Sequence, residues 1–113
     1  MRIDYDLLRE ILLVIEDITD GHTNYTYETI SNSIQADPQK VWYHIKYLRD
    51  TAYIEAANGF FIDITPIGRA YLDSVRDDSV WGSVKEQMKP VKTMPLDVVK
   101  SVATKVVLNL IGY

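Results

Sequence analysis

The chain has 113 residues, of which 47% are hydrophobic and 25% charged, with a net charge of −4 and no cysteine. That balance belongs to one soluble globular domain and excludes a mostly disordered chain. It also removes disulfides, thiolate zinc sites and cysteine nucleophiles. A domain of this length buries roughly two thirds of its chain surface and folds without staples.

The start, Met1-Arg2-Ile3-Asp4-Tyr5-Asp6, lacks the basic-then-apolar order of a signal peptide. The most apolar stretch, Val98 to Ile111, is interrupted by Lys100 and Lys105 and falls short of the ~18 residues of a membrane span. A cytoplasmic protein is expected. Charge is unevenly spread. Residues 1–37 hold eight acids and two bases, and residues 79–113 hold two acids and five bases. That polarity would let the two ends attract each other or a second copy.

In chain order, Asp4 reads as the N-cap of a helix to about Thr19. Leu7, Leu8, Ile11, Leu12, Ile15 and Ile18 form its stripe, which Val14 widens. Gly21 ends that helix, and a loop follows to Asn24. A shorter helix begins near Thr26, with Ile30 and Ile34 a turn apart. Asp37-Pro38 places an acceptor at N-cap and a proline at the first helical position. The third helix runs from Pro38 to about Thr51 on Val41, Ile45 and Leu48. Asn58-Gly59 favours a two-residue type I′ hairpin. That turn pairs Ala57 with Phe60, Glu55 with Ile62 and Tyr53 with Ile64.

Thr65-Pro66 repeats the capping logic for a fourth helix, with Ile67, Tyr71 and Val75 on its apolar side and Leu72 in support. Asp77-Asp78-Ser79 interrupts or restarts it, and Trp81, Val84 and Met88 follow. Pro90 and Pro95 bracket a linker. The last helix spans about Leu96 to Ile111, with Val99, Ala103, Val106 and Leu110 spaced as a packing seam.

The order helix, helix, helix, hairpin, helix, helix predicts a mainly α fold with a small β-hairpin (α+β). It has the arrangement of a winged helix-turn-helix with an extra C-terminal helix. One domain over 1–113 is expected, with its core at 4–78 and a helical extension at 79–113.

The stretch Ile64-Thr65-Pro66-Ile67-Gly68-Arg69-Ala70-Tyr71-Leu72-Asp73-Ser74-Val75-Arg76-Asp77-Asp78-Ser79-Val80-Trp81 resembles a family of small bacterial and phage proteins, domain of unknown function 2513. The acidic opening Asp6-Leu7-Leu8-Arg9-Glu10-Ile11-Leu12 and the tail Met94-Pro95-Leu96-Asp97-Val98-Val99-Lys100 are similar to the family as well. Pro66 stands where the family often has tryptophan, and Arg69 where it has histidine. The resemblance implies a winged-helix architecture and a phage or prophage setting, and it carries no established activity. Separately, Val41 to Asp50 resembles the recognition helix of bacterial winged-helix repressors around His44, Ile45 and Leu48.

The third helix is basic from Pro38 to Arg49, with no acid between them, in an otherwise acidic chain. Gln39 suits adenine and Lys40 suits guanine. Lys46 and Arg49 suit phosphates, and Trp42 and Tyr43 supply stacking area. The hairpin offers no Lys or Arg between Thr51 and Arg69; Phe61 is expected to pack against the first helix or a second subunit, and an exposed Phe61 would suit a protein partner better than DNA. His44 is expected to be hydrogen-bonded to backbone rather than to act as a sensor. His22, in a loop, makes a poor zinc ligand with it. Arg76-Asp77-Asp78 reads either as a divalent-cation site with Asp73 or as a helix end. In the second reading an aspartate caps the next turn and Arg76 pairs with an acid of the first helix.

No Gly-rich phosphate loop, G-x-S-x-G or H-E-x-x-H is present, and no nucleophile, base and orienter assemble. A non-enzyme without cofactor or metal is expected. The first and last helices, through Leu8, Leu12, Val99, Ala103, Val106 and Leu110, offer more apolar surface than one core consumes, which points to a homodimer. The leading expectation is a dimeric regulator of transcription that binds double-stranded DNA. The alternative is a winged-helix module that binds a protein and no DNA.

Overall fold

Asp4 opens α1 (Tyr5–Ile18) by accepting a hydrogen bond from the Leu7 amide, and Thr26 opens α2 (Tyr27–Asn32) by accepting from Thr29. Asp37 caps α3 (Pro38–Asp50) through the Gln39 amide, with Pro38 at its first turn. Two short antiparallel strands follow, β1 (Ile54–Ala56) and β2 (Ile62–Ile64). Three helices complete the chain, α4 (Pro66–Val75), α5 (Asp78–Met88) and α6 (Leu96–Leu110). The structure, a computed structural model, describes residues 1–19, 25–57, 62–91 and 93–112. The fold is mainly helical with one small hairpin. Among the described residues, no helix is long and apolar enough to cross a membrane.

The chain divides into two compact units, residues 1–69 and 70–113. In the first, α1 packs on α2, α3 and β2, and α3 packs on α2 and β1. Leu8, Ile11, Leu12 and Ile15 of α1 meet Ile30, Val41, Ile45, Leu48 and Ile62 in a buried core. In the second, α5 packs on α6, where Trp81, Val84, Leu96, Val99 and Ala103 are buried.

The hairpin register differs from the expected one by one residue. Ile54 pairs with Ile64, Glu55 with Asp63 and Ala56 with Ile62. Facing partners share a side of the sheet, so Ile54, Ile62 and Ile64 go to the core together, while Glu55 stays exposed. The expected register would have set Glu55 opposite buried Ile62. In this register the three isoleucines of the two strands are buried together. The Asn58-Gly59 turn itself, with Phe60, Phe61, His22 and the loop after α1, lies outside the described residues.

The end of α3 and the start of α4 are fitted to each other. Tyr53 donates its amide to the Leu48 carbonyl and Ala52 to that of Arg49, a Schellman closure that puts Ala52 at φ 68°. The Thr65 hydroxyl donates to the Ala52 carbonyl and accepts from the Gly68 amide, which caps α4. A Cβ at Gly68 would overlap the Tyr53 carbonyl oxygen, so the backbone approach there admits only glycine. On α4 the buried side is Gly68, Tyr71, Leu72 and Val75. Ile67, expected on that side, is 58% exposed, because the stripe is phased on Gly68 instead.

Candidate nucleic-acid interface

Two stripes at i, i+3, i+4, i+7 divide α3. The inner one is Val41, His44, Ile45 and Leu48, all buried. The outer one is Gln39, Trp42, Tyr43 and Lys46, which together with Pro38 line an open groove of about 350 Å3. A second depression, lined by Tyr43, Lys46, Tyr47 and Asp50, extends it toward the C-terminal end of the helix. Trp42 is 50% and Tyr43 41% exposed. Four of the six residues expected to contact DNA are thus gathered on one accessible face.

Lys40 and Arg49, the other two, are tied elsewhere. Lys40 Nζ lies 2.9 Å from Asp4 Oδ2, the N-cap carboxylate of α1. Arg49 donates from Nε to Asp50 Oδ1 at 3.1 Å and from Nη1 to the Tyr27 hydroxyl at 3.2 Å. Lys46 makes no ion pair among the described residues. Tyr27, buried on α2, also meets Trp42 edge to face, with ring centroids 5.1 Å apart at 83°. The α2 side chain therefore fixes where the indole stands.

His44 is fully buried and bonded on both nitrogens. Its Nδ1 lies 2.7 Å from the Lys40 carbonyl oxygen, which only accepts, so that nitrogen carries the proton. Nε2 then accepts from the Asp4 amide at 2.8 Å. The ring is neutral and linked to backbone at both ends. Burial lowers its proton affinity, opposed by the Lys40 carbonyl and the Asp4 carboxylate, and the net shift is downward. The Asp4 carboxyl is raised by burial, but the Lys40 ammonium and the Leu7 amide outweigh this and hold it below the usual carboxylate range.

Arg76-Asp77-Asp78 resolves as a helix start. Asp77 Oδ1 accepts from the amides of Ser79 and Val80 and from the Ser79 hydroxyl. Arg76 pairs with Asp73 one turn back, at 2.8 Å. Among the described residues, no group of three or more His, Cys, Asp or Glu side chains is placed to hold a metal ion.

Of the residues expected at a dimer seam, Leu8 and Leu12 are buried in the first unit's core, and Val99, Ala103 and Val106 are buried on α6. Leu110 is 69% exposed, and Val98, Val107 and Leu108 of α6 are exposed as well.

The family described as "Hypothetical protein (DUF2513)" matches residues 2–95. The chain belongs to this family. The match covers α1 through α5 and ends one residue before α6. A protein of Haemophilus influenzae described as "Uncharacterized protein" is 29% identical over 129 residues, covering 99% of this chain and 100% of that protein. No solved structure matches. The matched stretch takes in Thr65, which caps α4, Gly68, which takes the Tyr53 carbonyl against its backbone, and Arg76-Asp77-Asp78 between α4 and α5.

Proposed function

We propose that this chain is a winged helix-turn-helix protein that binds double-stranded DNA through the outer face of α3. The observation that carries this reading is the convergence of Gln39, Trp42, Tyr43 and Lys46 on one accessible groove. The groove lies toward the N-terminal part of the third helix, the part that reaches base edges when such a helix enters a major groove. In this reading α2, the turn after it and α3 form the helix-turn-helix, β1 and β2 form the wing, and transcription is controlled by occluding or recruiting at a promoter. Gln39 reads a base edge, Lys46 meets a phosphate, and Trp42 and Tyr43 supply apolar contact. Lys40, held by Asp4, is not counted among these contacts.

A second reading, in which the same face docks a protein, is favoured by one specific observation. Lys40 and Arg49 are already paired, which leaves on this aromatic face Lys46 as the one cation outside an ion pair among the described residues, a composition that suits protein interfaces. Backbone amide shifts of the labelled protein on titration with a mixed-sequence duplex test the choice. DNA binding moves the amides of residues 39–47 together, and Trp42→Ala weakens the response. A duplex that leaves those residues unmoved gives the face to a protein partner.

A further inference from the structure

Asp4 carries out three tasks with three different atoms. Its Oδ1 accepts from the Leu7 amide and starts α1, its Oδ2 holds Lys40, and its backbone N–H donates to His44 Nε2. The last two reach across to one turn of α3, residues 40 and 44. The N-terminal end of α1 is thus attached to the candidate recognition helix through a carboxylate and an imidazole side by side. His44 has no spare acceptor, since Nδ1–H is committed to the Lys40 carbonyl.

We propose that this contact is a proton-operated latch on Lys40. Protonation of His44 at Nε2 sets an N–H against the Asp4 N–H, two donors with no acceptor between them. The Asp4 backbone must then leave the ring, or the imidazolium must turn to the Asp4 carboxylate. The first outcome carries Oδ2 away from Lys40, and the second occupies it. In both, the Lys40 ammonium is released to the side of α3 that bears Gln39 and Lys46. The charged groups acting on His44 are Asp4, from the N-terminal end of α1, and Lys40, from α3 itself, and the Tyr43 ring stands against the imidazole with centroids 5.6 Å apart. One proton taken up inside the fold therefore adds one cation outside it. The inference deepens the DNA-binding reading and rests on it only for what Lys40 then meets.

The sign follows from burial. The folded chain holds a proton on His44 less readily than the unfolded chain does, where the ordinary value is about 6.5. The attachment is complete above that value and is lost as pH falls below it, and so is the stability it contributes.

Two arms of one pH series, from 7.5 to 5.0, decide the matter. By nuclear magnetic resonance, the His44 ring nitrogens, the Asp4 amide and the Lys40 side-chain carbons of the full chain are followed together. The latch requires one common midpoint, below about 6.5. Asp4→Asn keeps an N-cap and the backbone donor while removing the carboxylate, and in it the Lys40 carbons take their low-pH positions at pH 7.5. Asp4 and Lys40 signals that stay fixed while His44 titrates overturn the proposal. In the second arm, the affinity for a mixed-sequence duplex is measured against salt. The salt slope of the wild type steepens by about 0.9 between pH 7.5 and 5.0, the increment of one added phosphate contact, and Asp4→Asn has the steep slope throughout. Binding absent at both pH values, with the resonance arm intact, overturns the DNA reading and leaves the latch standing.

Discussion

Ala52 sits at φ 68°, a region that costs an L-residue with a Cβ roughly 1–2 kcal/mol relative to the right-handed form. It is tolerated because the Schellman bonds from Ala52 and Tyr53 and the Thr65 hydroxyl hold that peptide from three sides. Ala52→Gly removes the strain without touching a side-chain partner. It should stabilise the protein by about 0.5–1 kcal/mol after the added unfolded-state entropy of glycine is deducted, read as a higher urea midpoint at unchanged slope. Gly68 is the opposite case, since the Tyr53 carbonyl occupies the place of its Cβ. Gly68→Ala must push the Tyr53 backbone away and should cost about 1–3 kcal/mol, the range for overpacking, with the same denaturation curve as the check. Neither position announces itself in the sequence. Ala52 looks like an ordinary helix-end residue, and Gly68 resembles any glycine in a first turn until the strand that crosses it is known.

Helix starts were the most legible elements. Asp4, Thr26, Asp37-Pro38 and Thr65-Pro66 each carry a local acceptor that bonds an amide two or three residues on; three of these caps are legible in the sequence, and Thr26, legible there only as a helix start, also caps. The hairpin was less legible, because its register is decided by which isoleucines reach a core built from α1 and α3, information absent from the dipeptide at its tip. Arg76-Asp77-Asp78 carried both a metal and a capping reading, and the amides of Ser79 and Val80 at Asp77 decide for the cap. Asp77→Ala should therefore cost about 1 kcal/mol, while Asp77→Asn, also a good N-cap, should cost little. Thermal unfolding followed by circular dichroism separates the two. A comparable loss in both would assign the role to the charge instead. On α3, the outer stripe was readable from helical spacing alone. The pairing of Lys40 was not, because Asp4, which holds it, is 36 positions away in sequence, whereas the acid that pairs with Arg49 is its neighbour Asp50.

Across the whole molecule, the charge distribution limits how α3 is used. The unit that contains it, residues 1–69, carries eleven acids and six bases, so approach to a polyanion depends on the local face rather than on the overall field. Residues 70–113 carry five acids and six bases. With so few cations available, each should register in the salt dependence. The most direct measurement is fluorescence anisotropy of a labelled mixed-sequence duplex titrated across a salt series at pH 7.5, with the wild type beside Lys46→Glu. The DNA reading predicts affinity that falls steeply with salt, and a slope shallower by about one or more in the variant, which loses a phosphate contact and gains a repulsive charge. Equal curves for the two proteins, or no binding at the lowest salt, would contradict it and leave the aromatic face of α3 to a protein partner.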